Sequence, residues 1–159
     1  YRDETERYDK VVSIEMFEAV GEEYWETYFA KVRDVLKPGG KAGLQIITID
    51  EKAFPIYRRQ PDFIQRYVFP GGMLPPPSAL HDLGTRHALQ LIGERIFPQD
   101  YARTLAQWRD RFWQSWPQIN AMGFDERFKR LWEFYLYYCE AGFRAEFIDV
   151  RQLTFARNG

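Results

Sequence analysis

The order of two apolar stretches and the helix-forming segment between them limits the fold of this 159-residue sequence more than any other feature. Residues 8–14 (YDKVVSI) are apolar and rich in β-branched side chains, which is typical of a buried strand. Residues 22–36 carry large apolar side chains three and four positions apart, which predicts a helix with one apolar face. That face consists of Trp25, Phe29, Val32 and Leu36.

A second strand is predicted directly after this helix. Residues 37–40 (KPGG) end the helix, because proline cannot continue it and glycine allows a left-handed turn. Residues 41–49 have little polar face, so we expect the strand to be covered on both sides. A strand, a helix and a second strand in this order predict a right-handed parallel crossover. The predicted fold class is therefore α/β.

The second half of the chain is aromatic and mostly helical. Short helices are predicted over residues 61–69 and from Ser78, and a strand over residues 89–97. Later in the chain, residues 125–143 form a long amphipathic helix and residues 147–156 a last strand. These elements add a helical insertion to the α/β sheet.

Another long helix is predicted over residues 101–116. Apolar side chains recur there every three or four positions, and we expect Asp100 to cap the helix and Pro117 to close it. The apolar face consists of Tyr101, Leu105, Trp108, Phe112 and Trp116. This helix and the next carry more large rings than they can bury against each other, so some rings are expected to line an apolar pocket or tunnel.

The composition excludes several classes of protein. The chain has 22 Lys and Arg against 23 Asp and Glu, so no overall positive field would hold nucleic acid. Cys139 is the single cysteine, which excludes an internal disulfide, and His81 and His87 lack partners at a metal-binding spacing, so no metal is predicted. No apolar run approaches the roughly 20 residues that cross a bilayer. We expect a cytoplasmic protein.

Glu18 is the most informative single residue, because it follows a strand closely and ligands of open α/β sheets bind at the carboxyl ends of strands. Glu15 and Glu18 could equally be solvated loop carboxylates, or could favour the N-terminus of the next helix. Gln45 lies inside an apolar strand, where its amide needs hydrogen-bond partners. A structural partner would satisfy it without any catalytic role.

Two further features have both a structural and a functional interpretation. Tyr101 is by default a core tyrosine whose hydroxyl has a partner. Arg58, Arg59 and Arg66 form the one local basic cluster of interest, which is usually a solvated face. Beside an apolar pocket, such a cluster could contact lipid phosphate.

Several segments of the chain resemble a known family. Residues 9–21 (DKVVSIEMFEAVG) and 36–40 (LKPGG) are similar to the fourth strand, the following helix and the start of the fifth strand of S-adenosylmethionine-dependent methyltransferases. The other segments are similar to the cyclopropane-fatty-acyl-phospholipid synthases, and together the similarity covers nearly the whole chain. They are residues 67–75 (YVFPGGMLP), 100–108 (DYARTLAQW), 126–130 (ERFKR) and 142–145 (GFRA).

The resemblance implies an activity and a set of site residues. Enzymes of this family transfer a methyl group from S-adenosylmethionine to the double bond of an unsaturated phospholipid acyl chain. Proton loss from the resulting carbocation, with bound bicarbonate as the base, closes a cyclopropane ring, and some relatives form a methyl or methylene branch instead. Glu18 and Tyr101 match bicarbonate-site residues of the family, and Ile47 matches a residue that contributes its backbone. Gln45 replaces a bicarbonate-binding histidine, which calls bicarbonate dependence into question.

The resemblance also implies where the acyl chain binds. The loop over residues 69–75 and the aromatic helices are expected to cover it, and apolar walls suit this chemistry because a carbocation must be kept from water. The predicted substrate-binding residues are Phe69, Gly71, Gly72, Leu74 and Trp108.

The family's cofactor-binding segment is absent from this sequence. No complete Gly-x-Gly-x-x-Gly motif occurs, so no cofactor-binding residue is predicted within the chain. We expect residues 1–159 to form a single domain, the C-terminal part of a Rossmann-like methyltransferase with an antiparallel last strand and an aromatic helical cap. The isolated chain should be inactive, and the strand around Val11, without its usual neighbour, should pair in a homodimer or strand-swapped assembly.

Two other functions remain open at this point. The same fold serves methyltransferases of small amines, and a non-catalytic piece that binds lipid or a partner protein would explain the missing cofactor motif. The first interpretation places the protein in the cytoplasm with peripheral membrane contact, because its substrate is a phospholipid. Assays of lipids against amines separate the first two functions.

Overall fold

A mixed four-stranded sheet and a pair of long helices carry the fold in the computed structural model, which describes residues 1–158. The strands are β1 (Tyr8–Ile14), β2 (Leu36–Ile49), β3 (Leu89–Ile96) and β4 (Ile148–Arg157). The helices are α1 (Phe17–Val20), α2 (Trp25–Val35), α3 (Phe54–Tyr57), α4 (Phe63–Tyr67), α5 (Pro77–Arg86), α6 (Pro98–Ala121) and α7 (Glu126–Arg144), with a 3₁₀ turn at Glu22–Tyr24.

The chain divides into two compact units. The first comprises Tyr1–Ile96 and the residues from Asp149 onward, and it contains the sheet. The second, Phe97–Ile148, contains α6 and α7 and is inserted between β3 and β4 along the chain. No helix within residues 1–158 combines the length and apolarity that crossing a bilayer requires.

The sheet has the strand order β1-β2-β4-β3. β1 and β2 are parallel neighbours, with Ile14 opposite Gln45, and α2 connects them, which confirms the predicted strand, helix and strand. β3 and β4 are antiparallel, with Leu89 opposite Arg157. The predicted mixed α/β sheet with an antiparallel last strand is therefore confirmed.

The core of the first unit forms where α1, α2 and α5 pack on the sheet. Phe29 is fully buried, and its ring contacts those of Phe17 and Phe155 edge-on, with centroids 5.6 and 5.8 Å away. Such ring pairs add to the free energy of burying the aromatic surface. The buried set of this core includes Trp25, Tyr28, Val32, Leu36, Leu44, Ile46, Leu80, Leu83 and Leu153.

The predicted burial of the first two strands is partly wrong. β1 lies at one edge of the described sheet, and the side chains of Val12 and Ile14 are 72% and 64% exposed. β2 alternates buried with half-buried residues along its second half, so only one of its faces is well covered. β2 also begins at Leu36 rather than at residue 41, because residues 37–40 bulge opposite the single residue Asp9.

The predicted ends of α6 are also wrong. The helix begins at Pro98, after Phe97 at the N-cap, and Asp100 lies within its first turn. Proline suits the first helical position because no partner is needed for its missing N–H. Pro117 lies inside α6, which continues to Ala121. In contrast, α7 starts as predicted, because the Asp125 side chain accepts a hydrogen bond from the Phe128 N–H at 2.8 Å.

Gly84 of α5 is expected to tolerate no side chain. A Cβ there would lie 2.5 Å from Cε1 of the buried Phe155 ring and 3.1 Å from the Leu89 carbonyl oxygen. Gly84→Ala should therefore lower the free energy of unfolding by about 1–3 kcal/mol, measured by urea denaturation. Gly43→Ala is the control, because nothing lies within 4 Å of a Cβ at that position. Equal stability of the two variants would contradict the prediction.

Candidate active site

Glu18 lies in α1, just beyond the carboxyl end of β1. Its Oε1 accepts a hydrogen bond from the Ile47 N–H of β2 at 2.5 Å, so the structure brings these two predicted site residues into contact. The other carboxyl oxygen, Oε2, is buried and has no hydrogen-bond partner among the described residues. A buried carboxyl oxygen without a partner is costly for stability, and such groups are concentrated at functional sites.

The electrostatic setting of Glu18 favours its neutral form. Burial raises the pKa of Glu18 to about 7, the Ile47 N–H opposes this shift, and the nearby charge of Glu15 adds to it. A carboxyl with a pKa close to neutral pH exists in both protonation states there. Glu18 can therefore accept a proton or donate one under physiological conditions.

The raised pKa of Glu18 predicts a pH dependence of stability. The unfolded chain has the ordinary value of 4.5, so between about pH 4.5 and 7 the folded chain binds more protons. The free energy of unfolding should fall as pH rises through this window, by up to about 3 kcal/mol. This change in the free energy of unfolding is measured by urea denaturation of the parent and of Glu18→Gln at about pH 5 and 8. An equal pH dependence in both proteins would contradict the assignment, and the exposed Glu23→Gln should behave like the parent.

Gln45 has protein partners at both ends of its amide. Its Nε2 donates to Glu15 Oε1 at 2.7 Å, and its Oε1 accepts from Gln152 Nε2 of β4 at 2.9 Å. The Glu15 N–H also donates to the Gln45 carbonyl at 2.8 Å. The expected structural partner of Gln45 therefore exists, and Glu15 is not simply a solvated loop carboxylate.

Glu15 adopts an uncommon backbone conformation. Its φ of +51° lies in the left-handed region, which costs a non-glycine residue about 1–2 kcal/mol. Glu15 immediately follows β1, and this conformation lets its main chain and side chain both hydrogen-bond to Gln45. Sequence patterns did not predict this pairing, which joins a glutamate at a strand end to a glutamine in an apolar strand.

Tyr28 and Ser13 were not predicted as neighbours of the site. The Tyr28 hydroxyl donates to Ser13 Oγ at 2.7 Å. Burial raises the pKa of Tyr28 to about 12, the Ser13 bond opposes the shift, and the charge of Glu18 adds to it. Tyr28 therefore stays neutral and lies close enough to Glu18 to be influenced by its charge. Serine inside the apolar β1 is the sequence signal that could have indicated a buried polar partner.

The predicted substrate loop is attached to the backbone of Glu18. The Met73 N–H donates to the Glu18 carbonyl at 2.9 Å, and the Gly72 N–H donates to the Phe69 carbonyl at 3.0 Å. A Cβ at Gly72 would lie 3.1 Å from the Phe69 carbonyl oxygen and 3.4 Å from that of Glu18, so a side chain there would require the neighbouring backbone to shift by a few tenths of an ångström. Its neighbour Gly71 has a φ of +84°.

The same loop is also held from its far side. The Leu74 N–H donates to the Tyr57 hydroxyl at 3.4 Å, and the Ile49 N–H at the end of β2 donates to the Pro75 carbonyl at 3.1 Å. Phe69 is 52% exposed at the start of the loop. The structure thus places four of the predicted substrate-binding residues, Phe69, Gly71, Gly72 and Leu74, in one loop bonded to the main chain of Glu18.

Tyr101 and Trp108 belong to α6 in the second unit. The Tyr101 ring lies 4.7 Å from the Phe143 ring and 6.2 Å from the Trp108 ring, centroid to centroid. Tyr101 is half-buried in this aromatic cluster, whereas Trp108 is 44% exposed. The roles predicted for Tyr101 in an anion pocket and for Trp108 in substrate binding stay predictions.

The residues around Glu18 are a poor match for a free anion such as bicarbonate. The Ile47 N–H already donates to Glu18, and the Gln45 Nε2 already donates to Glu15. The carboxyl groups of Glu15 and Glu18 accept these two hydrogen bonds, and negative charge on either one disfavours an added anion. For S-adenosylmethionine, the sequence offers no glycine-rich loop to hold the cofactor.

The chain is similar to known proteins over nearly its whole length. The family model for mycolic acid cyclopropane synthetase matches residues 1–153. Tuberculostearic acid methyltransferase UfaA1 of Mycobacterium tuberculosis is 43% identical over 160 residues, covering 100% of this chain and 38% of the relative. Cyclopropane-fatty-acyl-phospholipid synthase of Escherichia coli (strain K12) is 38% identical over 157 residues, covering 99% of this chain and 40% of the relative.

A solved structure shows the same fold. Mycolic acid cyclopropane synthase CmaA1 complexed with SAH and CTAB superposes with a TM-score of 0.89 at 26% identity, covering 98% of this chain and 57% of that one. This chain spans about two fifths of the length of the two curated relatives. The chain belongs to the mycolic acid cyclopropane synthetase family of S-adenosylmethionine-dependent methyltransferases.

Proposed function

We propose that this chain is the C-terminal catalytic part of an enzyme that modifies unsaturated phospholipid acyl chains. The enzyme transfers a methyl or methylene group from S-adenosylmethionine to the double bond and gives a cyclopropane or a methyl branch. The observation that carries the proposal is the buried Oε2 of Glu18, which has no hydrogen-bond partner among the described residues. The Glu18 carbonyl also accepts a hydrogen bond from Met73 and so holds the loop over residues 69–75. Family membership supports the reaction class.

Each group around Glu18 has a task in this proposal. S-adenosylmethionine, held by a segment outside this chain, supplies an electrophilic methyl group. Glu18 holds a proton or a negative charge beside the reacting carbon, since its pKa of about 7 allows both. The buried rings of Phe17 and Tyr28 keep water from this side of the site, so a carbocation on the acyl chain survives until it loses a proton.

The substrate places the enzyme at a membrane. We propose that it works in the cytoplasm in peripheral contact with the bilayer, because its acyl chain must leave a phospholipid layer to be reached. The loop over residues 69–75, with the exposed Phe69, is proposed to contact that chain. Substrate binding by the exposed Trp108 of α6 is a separate proposal. A homodimer or strand-swapped assembly through β1 is a separate expectation, and light scattering tests it.

The proposal is tested with the complete enzyme and methyl-labelled S-adenosylmethionine. Vesicles of unsaturated phospholipid are the acceptor, and mass spectrometry locates the label. We expect label in the acyl chain, in a ring or at a branch, and none with vesicles of saturated phospholipid. Label found instead on a soluble amine offered in the same reaction would favour the amine methyltransferase. No transfer to either acceptor would favour a non-catalytic binding protein.

A further inference from the structure

Glu15 is held in the candidate site by its main chain and its side chain. Its N–H donates to the Gln45 carbonyl at 2.8 Å, and its Oε1 accepts from the Gln45 Nε2 at 2.7 Å. Gln152 donates to the other end of the Gln45 amide at 2.9 Å, which fixes the amide orientation so that its NH₂ group faces Glu15. Glu15 is therefore a positioned carboxylate at the carboxyl end of β1.

The backbone of Glu15 indicates that its side chain has a use. Its φ of +51° is a conformation that glycine adopts without cost and glutamate does not. Strain of this kind persists where the surroundings impose it, and it is concentrated at functional sites. Of the described residues, Ala88 and Glu146 are the other two non-glycine residues with positive φ, which supplies a matched comparison for Glu15.

Glu15 and Glu18 form a pair of carboxyl groups with different environments. The charge of Glu15 is one of the causes that favour the proton on Glu18. The Glu15 carboxyl group accepts a hydrogen bond from the Gln45 amide, whereas Glu18 has a buried oxygen with no partner among the described residues. Paired carboxyl groups that differ in this way divide the acid and base roles of a site.

Resting on the proposed function, we propose that the Glu15 carboxylate is the proton acceptor of this enzyme, in place of a free anion such as bicarbonate. The donor's sulfur–methyl bond breaks as the methyl group bonds to one alkene carbon, leaving the other carbon positive. A C–H bond of the added methyl group then breaks. Its electron pair forms the second ring bond, and its proton moves to a Glu15 oxygen. The neutral acid returns this proton to solvent.

Where the product is a branch, the same acceptor takes the proton. A hydride first moves from the methylated carbon to the positive neighbouring carbon, which places the positive charge on the methylated carbon. A C–H bond of the added methyl group then breaks, its electron pair forms a carbon–carbon double bond to that carbon, and its proton moves to Glu15, giving a methylene branch. Gln45 and Gln152 act through Glu15 in either case and are positioning residues, because they orient the carboxylate without receiving the proton. Gln45 Nε2 already donates to Glu15, and the Ile47 N–H already donates to Glu18. Because the carboxyl groups of the chain accept these hydrogen bonds, the site would need no added anion.

The test uses the complete enzyme with vesicles of unsaturated phospholipid in buffer depleted of carbon dioxide. The parent should keep its methyl-transfer rate whether or not bicarbonate is added. Glu15→Gly should fold, because glycine suits the left-handed backbone, and should lose about a hundredfold in rate. Added bicarbonate, formate or acetate should raise the methyl-transfer rate of Glu15→Gly at least about tenfold, since a small anion can enter the space left by the carboxylate.

Glu146→Gly is the matched control, because it removes the same residue type at a φ of +54° in the second unit. It should keep the parent's rate and show no response to the anions. A parent that needs bicarbonate, a Glu15→Gly variant with full activity, or a loss that none of the three anions restores would each overturn the inference. The first two leave the proposed function intact, whereas a parent that transfers no methyl group to lipid overturns both.

Discussion

Glu18→Gln is expected to slow methyl transfer by the complete enzyme about a hundredfold or more while the protein remains folded. The amide has the shape of the carboxyl group, and its oxygen can still accept the Ile47 N–H bond. It cannot bind or release a proton, and it places an NH₂ group where the buried Oε2 lay. The loss should fall mainly on kcat rather than on KM, because the missing interaction acts on the reacting carbon.

The measurement compares kcat, KM and the thermal midpoint of parent and variant at constant pH. Glu23→Gln is the matched control, since Glu23 is an exposed carboxyl on the 3₁₀ turn that follows α1. It should leave all three quantities unchanged. If Glu18→Gln retained the parent's kcat, Glu18 would have no part in the chemistry. If the thermal midpoint of Glu18→Gln fell sharply, its loss of activity would reflect unfolding.

The second large effect is expected at Glu140, which is 8% exposed between α6 and α7. Its two carboxyl oxygens accept hydrogen bonds from Arg109 and Arg144, the latter at 2.8 Å. The Arg109 guanidinium is largely buried over the Tyr137 ring, 4.6 Å from its centroid. Glu140→Met would leave this positive charge buried without its partner, so the free energy of unfolding should fall by about 3–5 kcal/mol.

Two further variants serve as controls for Glu140→Met. Asp110→Ala removes an exposed carboxylate 3.4 Å from the same Arg109, and we expect a change below about 1 kcal/mol. The double variant Arg109→Met with Glu140→Met removes both charges and should recover much of the stability that Glu140→Met loses. Urea denaturation measures the free energy of unfolding of all these variants. Strictly additive losses in the double variant would show that Arg109 and Glu140 are not coupled.

Local patterns predicted the elements of the fold well. The apolar spacing from Trp25 to Val32 depends only on near neighbours, and it gave α2 within a few residues of its observed ends. Asp125 was likewise a reliable helix start because a cap involves residues three apart. Pro117 misled the prediction, because neighbouring turns of α6 tolerate one missing N–H bond. The apolar sequence of β1 predicted a buried strand, whereas Val12 and Ile14 are exposed at the edge of the described sheet, where the strand lacks its expected neighbour.

The candidate site could be predicted only in part. Glu18 was found because it follows a strand, and the resemblance added Ile47, which the structure places in contact with it. The pairing of Glu15 with Gln45 was missed, and so was Gln152. Gln45 lies 30 positions from Glu15 and 107 positions from Gln152 along the chain. No local pattern can show that such distant polar groups share their hydrogen bonds.

The sequence by itself determined the α/β class, the order of strands and helices, and the residue types available for proton transfer. These follow from side-chain periodicity and from turn chemistry, which act over a few residues. Only the tertiary structure decided that one oxygen of Glu18 is buried without a partner among the described residues, and that Glu15 hydrogen-bonds to Gln45 through its main chain and its side chain. Protonation and hydrogen bonding depend on burial and on neighbours brought together by folding, so they are properties of packing rather than of sequence order.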